Sequence, residues 1–520
     1  MNKRRYLFLI PYSLFLVILF PKDSFAQKSD RIEILNVDSS IYDKAKFGNM
    51  RILYGNVQFR HEHALMYCDS AYQYLDSNVM HAFSRVRVNQ GDTVTLTGKR
   101  LFYNGDNQLA QVFENVVLTD RKMKLNTNRL DYNLNTDIAS YTDSATTVDS
   151  ENHLTSRAGY YYSGSKDLLF KKDVVLINPR YTMTCDTLRY NTLHHIATFL
   201  SPTYIRSKEN TIYTERGWYN TEKENTYLDS GSYLLTKTQK LVGDSILYNR
   251  TTGIGRGFRN VSVTDTVNKV IISGDYAEHH ELSDSSFVTG RTMLTQIFEK
   301  DSLFMHGDTL FAIPDTSIPV DAKGERKKML LAFHHVKMFK ADMQGKCDSL
   351  VYNFRDSTIR MFTDPVLWSG LNQLTADSII IQTANGHIDK VYLNSASFIA
   401  SRADSTKKGI TDSLQFNQIR GKHMTGYFED NKLNHILVEG NGQTIYYGKN
   451  SKDKMVGVNR AECSDLMIYV NENKVKSITL LKKPDATFYP IKELSTKELR
   501  LKGFSWQFIK KPLSKEDIFN

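Results

Sequence analysis

The sequence predicts an all-β solenoid whose strands fold over into two layers, and three observations carry that prediction. Six tyrosines recur every 29 residues, at Tyr103, Tyr132, Tyr161, Tyr190, Tyr219 and Tyr248, and all but Tyr161 are followed by asparagine. Turn- and kink-forming residues at Asn115, Ser144, Asp173, Pro202, Gly231 and Asn260 keep the same step. Strand-like segments run between them, with no convincing amphipathic helix from Asn49 to Pro490. A phase held over so many copies marks a repeat array, in which each unit completes its core against its neighbours. Function is then to be sought in the array and not in a single catalytic pocket.

Each unit has two halves. The first reads small–Asp–x–Leu–x–Tyr–Asn, as in Cys185-Asp186-Thr187-Leu188-Arg189-Tyr190-Asn191 and Cys347-Asp348-Ser349-Leu350-Val351-Tyr352-Asn353. Strand side chains alternate between faces, so the Leu or Ile and the Tyr share one face. The residues between them (Phe102, Asp131, Arg189, Trp218, Leu247, Val351) are mixed. The Leu/Tyr face is therefore expected to point inward. Its members are Leu101, Tyr103, Leu130, Tyr132, Tyr161, Leu188, Tyr190, Tyr219, Ile246, Tyr248, Leu350 and Tyr352. The second half crosses a turn former into Val or Ile, as in Asn260-Val261-Ser262-Val263. That residue either kinks one long strand or separates two. The sheet must fold over, because a flat one would leave its apolar face wet.

The ends read differently. Residues 1–26 have the plan of a signal peptide: Lys3, Arg4 and Arg5, an apolar stretch from Tyr6 to Phe20, then Ser24-Phe25-Ala26. Gln27 follows Ala26, which speaks against a lipid-anchored N-terminus. We expect a lead-in over 27–48, repeats over 49–490 with a charged loop insertion at about 314–328, and a C-terminal cap or tail over 491–520. Ser495-Thr496-Lys497-Glu498 has the form of a capping box. Net charge is +10, diffuse except for Lys323, Arg326, Lys327 and Lys328. Lipid phosphates or anionic glycans suit an exported protein of this charge, and no recognition motif points to nucleic acid.

The chemistry of a site is hard to find. There is no Gly-x-Ser-x-Gly, His-Glu-x-x-His, phosphate-binding loop or Cys-x-x-Cys, so an enzyme is not expected, nor is a cofactor or metal. His61-Glu62-His63 would place two imidazoles on one face of an exposed strand, without a third ligand. The His-His pairs beginning at His194, His279 and His334 place neighbours on opposite faces. Cys68, Cys185 and Cys347 each precede an Asp at one place in the repeat, with Cys463 at nearly the same place, several strands apart. They read as small interior residues and not as a disulfide framework. The tyrosines either fill the interior with aromatic cross-strand contacts or line a groove.

Together, the leader, the β-only array, the small-Asp-x-Leu-x-Tyr strands and turns such as Gly55-Asn56-Val57 resemble the OstA-like proteins. The stretch from Cys347-Asp348-Ser349 through Pro365-Val366-Leu367-Trp368 to Ala376-Asp377-Ser378 is similar to that family's long tandem form. The resemblance covers about residues 50–490. It implies a β-jellyroll folded like a taco, whose greasy groove carries lipid A acyl chains in periplasmic lipopolysaccharide transport to the outer membrane. It also implies edge-strand pairing with other transport components and head-to-tail self-association. An elongated antiparallel jellyroll solenoid of ~29-residue repeats is thus the expected fold. An outer-membrane β-barrel, or a structural or glycan-binding surface solenoid, are the alternatives. Heat-modifiable migration on gels would mark the barrel, and acidic clusters facing one groove would mark the glycan binder.

Overall fold

The computed structural model describes residues 31–520, apart from 92, 122, 149–151, 268, 300, 318, 320–325, 385–386, 405–414, 430–431, 453, 472–473 and 492. The expected signal peptide and Lys323 lie outside the described residues. The chain forms two compact units, Met1–Tyr141 and Thr142–Asn520. Among the described residues, helix is confined to Lys44–Phe47 and two 3-10 turns, Phe508–Lys510 and Glu516–Phe519. No described helix is long and apolar enough to cross a membrane.

In the first unit the strands Met50–His61, Ala64–Tyr74, Val79–Gln90, Val94–Asn104, Leu109–Asp120 and Met123–Asn133 pair antiparallel, each with the next. Every second strand carries two left-handed residues at its middle: Gly55 and Asn56, Ser84 and Arg85, Glu114 and Asn115. The pairing register slips there, as between Tyr54 and Val57 against Ser70 and Cys68. One extra residue opposite a straight strand is a β-bulge, which bends the sheet sharply. Each strand is thereby divided into two limbs, and the limbs form two layers.

Bends of this kind place residues at a φ where an L side chain is strained, and Asn and Gly tolerate it best. The repeat's Asp supports them from the neighbouring strand. Asp69 accepts from Arg85 Nε at 2.8 Å. Asp244 accepts from Asn260 Nδ2 at 3.1 Å, and Asp308 meets His335 Nδ1 at 2.9 Å. The Asp recurs in the sequence because a bend recurs in the fold.

The second unit uses the same device at Lys172 and Asp173, Arg259 and Asn260, His334 and His335, and Ser395 and Ala396. Elsewhere the bend separates two short strands, as Pro202 does between Ile196–Phe199 and Thr203–Arg206. Gly231, at φ 84°, does so between Asn225–Leu228 and Tyr233–Thr236. Both forms anticipated for the turn former therefore occur. The fold is an antiparallel β-jellyroll with its core between the layers.

After the last strand, Asp485–Tyr489, the chain turns back. Ser495 and Glu498 bond reciprocally, with Glu498 Oε2 accepting from Ser495 N at 2.9 Å. The buried amide of Gln418 then pairs with the tail backbone, donating to Leu499 O and accepting from Leu501 N, both at 2.9 Å. Gln373 does the same with Ser505 O at 2.8 Å and Gln507 N at 2.7 Å. Leu501 is buried against Phe398, Ala400, Ile445, Tyr447 and Val458, with Phe504 and Trp506 beside it. This stretch of the layer is apolar on both faces, as three successive buried residues, Val366, Leu367 and Trp368, attest. The tail covers the face that the interior does not.

Candidate functional site

The interior is built as a cross-strand ladder in which large residues alternate with small ones. In the first unit Tyr103 lies opposite Ala110, Ala110 opposite Tyr132, and Tyr132 opposite Ala139. In the second unit the series runs Tyr190, Ala197, Tyr219, Thr226, Tyr248, Gly255. A tyrosine ring needs more width than one strand spacing of about 4.8 Å provides, and a small neighbour supplies it. The small residues follow five of the six repeat tyrosines by seven positions and so keep the 29-residue step, with Leu168 in that place after Tyr161. The spacing from tyrosine to small residue is the sequence signal that marks them.

All twelve expected interior residues take their places on this face, and all but Tyr190 are buried. Leu101 and Leu130 flank Val112, and Leu188 lies between Phe170 and Phe199. Ile246 lies between Leu228 and Gly257, and Tyr161 lies opposite Leu168. Leu350 and Tyr352 continue the ladder beside Ala332 and Leu330. Tyr190 is half-buried, with its hydroxyl 3.4 Å from Thr221 Oγ1. Burial pushes the Tyr352 hydroxyl up to about 12, and raises those of Tyr181 and Tyr248 as well. These three hydroxyls therefore stay neutral at physiological pH.

Between residues 161 and 281 the two layers are tied together along their open margin. Arg180, in a turn of one layer, pairs with Glu224 in a turn of the tyrosine layer. Thr251 Oγ1 donates to the other Glu224 oxygen at 2.9 Å. The Arg250 guanidinium lies 4.9 Å from the ring centre of Tyr181, which meets Tyr219 edge-on at 5.7 Å. Asn210 Nδ2 donates to Tyr248 Oη and to Glu281 Oε1, both at 3.2 Å, and Tyr248 Oη donates to Glu281 Oε2 at 2.8 Å. Beneath these groups a cavity of about 30 Å³ remains, lined in part by Leu154, Phe170, Leu176, Met183 and Tyr219.

Further along the same unit the interior widens. A cavity of about 490 Å³ is lined by Ile399, Ile419, Ile436, Ile468 and Ile478, with Arg402 and Lys449 also on its wall. Ile436, Ile468 and Ile478 lie opposite one another on successive strands and extend the ladder that contains Tyr352. The tyrosine pattern in the sequence ends at Tyr352. The signal beyond it is the Ile/Val content of these strands, which carries no 29-residue phase.

The histidine motif requires a correction. His61, Glu62 and His63 do not form an exposed strand face: Glu62, at φ 49°, begins the turn between Met50–His61 and Ala64–Tyr74. His61 is buried, with Nδ1 2.7 Å from Tyr103 Oη. Local periodicity cannot see a two-residue turn that tertiary pairing places there. Among the described residues no three His, Cys, Asp or Glu side chains converge as a metal site. Cys68, Cys347 and Cys463 are buried free thiols, while Cys185 is only half-buried. Burial holds the thiols of Cys68, Cys185 and Cys347 at about 12, where they are unreactive.

By fold and interior, this is a two-layered β-jellyroll protein of repeated units with an apolar, aromatic-lined core. Residues 29–186 match the model of the OstA-like protein family, and over that stretch the chain is similar to it. The bends and the ladder continue in the strands beyond it. No curated protein matches the chain.

Proposed function

We propose that the chain is a periplasmic, non-catalytic bridge that conducts lipopolysaccharide toward the outer membrane, its acyl chains shielded between the two layers. One observation carries this reading. In the second unit a single interior register passes from Tyr161 through Tyr352 to Ile478, one residue per strand, without a charged side chain. Exposing each CH₂ of an acyl chain to water costs about 0.8 kcal/mol, so transfer needs a path continuously screened from water; the polar members of this register, Thr226, His279 and Ser286, are themselves buried. Repetition sets each interior site directly beside the next, so a lipid can pass from one to its neighbour without entering water.

The OstA-like stretch supports a place among lipopolysaccharide-transport components. Edge strands offer the means of joining them. Within the described residues Lys474–Leu481 and Asp485–Tyr489 pair only with Met455–Asn471, leaving their other sides open. Glu33–Asn36 and Ser39–Tyr42 likewise pair only with Met50–His61. Open edges of this kind take up a strand from a partner or a second copy.

The test is mass spectrometry of lipid extracted from residues 27–520 purified from the periplasm of a lipopolysaccharide-producing host. Stoichiometric lipid A supports the bridge. A lipid-free protein would favour a spacer with a filled aromatic core, a reading that the tight packing around Tyr161–Tyr248 supports.

A further inference from the structure

The lipid-conducting reading leaves one section of the interior too narrow. Under Tyr181 and Tyr219 the free volume is about 30 Å³, whereas about 490 Å³ is open at Ile436 and Ile468. The smaller space has room for about two or three water molecules and cannot take an acyl chain. An amphiphile moving along the interior must therefore part the layers between residues 161 and 281, where polar pairs hold their margins together.

We propose that Arg180–Glu224 and Asn210–Glu281 form a latch across the mouth of this section, and that an amphiphile opens it by placing its anionic head group on Arg180 and Arg250 in place of Glu224. This rests on the lipid-conducting reading. Arg180 and Glu224 come from turns of opposite layers, so their pair spans the mouth. The Glu224 side chain is 11% exposed and that of Arg180 is 53% exposed, so the arginine can follow an anion arriving from solvent without unfolding. Arg250 spans the mouth too, its guanidinium resting on Tyr181, and its buried Nε has no hydrogen-bond partner. Asn210 binds both Tyr248 and Glu281 across the same margin. Glu224 thus occupies an anion position above an apolar, aromatic cavity. An anionic group joined to an acyl chain satisfies both parts at once.

The test places the photo-crosslinking residue p-benzoylphenylalanine at Met183, under the latch, and in a separate protein at Ile468, in the open cavity. Each full mature chain is exposed to lipopolysaccharide micelles, and crosslinked lipid is measured, with thermal melts confirming that each protein is folded. Combining Glu224→Gln with Glu281→Gln should raise crosslinking at 183 about fivefold and leave 468 unchanged, as loss of one weak ion pair and of the charge in one hydrogen bond predicts. The exchange Arg180→Glu with Glu224→Arg should restore the original level at 183. Should the double variant not fold, Asn210→Ala alone serves, with a smaller rise expected. Lipid at 468 with no change at 183 in the latch variants overturns the latch and leaves the lipid reading intact. No lipid at either position overturns both.

Discussion

The hydroxyl of Tyr103 lies 2.7 Å from Nδ1 of His61, and the two residues belong to opposite layers of their unit. Their rings also meet edge-on at 5.7 Å. A repeat tyrosine therefore does more than fill space: its polar tip reaches the margin and ties one layer to the other. Tyr103→Phe keeps the ring and removes this bond. It should lower stability by about 1 kcal/mol, read as a fall in the urea midpoint with an unchanged slope. No change in midpoint would show that the bond adds nothing beyond ring packing.

The alternation of large and small residues can be tested at Ala197, which lies between Tyr190 and Tyr219. Ala197→Leu inserts bulk where the two rings need room and should cost about 1–3 kcal/mol. Thr198→Leu, on the opposite face of the same strand, is the control and should cost much less. Equal losses from the two would refute the ladder as the source of the effect.

Backbone conformation at the bends makes a separate prediction. Asn260 sits at φ 48°, and its side chain donates to Asp244. Asn260→Ile should cost about 1–2 kcal/mol from left-handed strain, plus the lost bond. Asn260→Gly loses only the bond and should be milder. Calorimetry that ranked the glycine variant as the worse of the two would rule out strain as the cause.

His279 gives the pH dependence. It is buried opposite Gly255, with Nδ1 2.9 Å from Ser286 Oγ. Burial first, and nearby Lys328 second, hold its imidazole below the ordinary 6.5. As pH falls through 6.5 the unfolded chain takes up a proton that the folded protein refuses. Unfolding therefore becomes easier, and the loss levels off once pH is below the folded value. Above 6.5 the contribution is fully present. His279→Gln should flatten the melting temperature between pH 7 and pH 5 relative to wild type. An unchanged slope would exclude His279 as its source.

Much of the fold was legible because repetition amplifies weak local signals. One strand-like segment ending in Tyr says little, but six tyrosines in phase identify the inward face, and the residues named from that phase lie on it. The bends were legible at Asn115, Ser144, Asp173, Gly231 and Asn260, all of which have positive φ. The widened interior at Ile436 and Ile468 was not, because the phase has lapsed there. The route of the C-terminal tail was hidden too, since Gln373 and Gln418 meet it only through contacts spanning more than eighty residues.

The sequence by itself determined what alternates and what bends: side-chain period along a strand and tolerance of positive φ are local properties that residue types report directly. Only the tertiary structure decided that Ala110 and Ala197 sit between tyrosines, that Arg180 reaches Glu224 and that the tail lies over Phe398 and Phe416. Those pairings join strands and layers across a bend, and their geometry exists only once the chain has folded over.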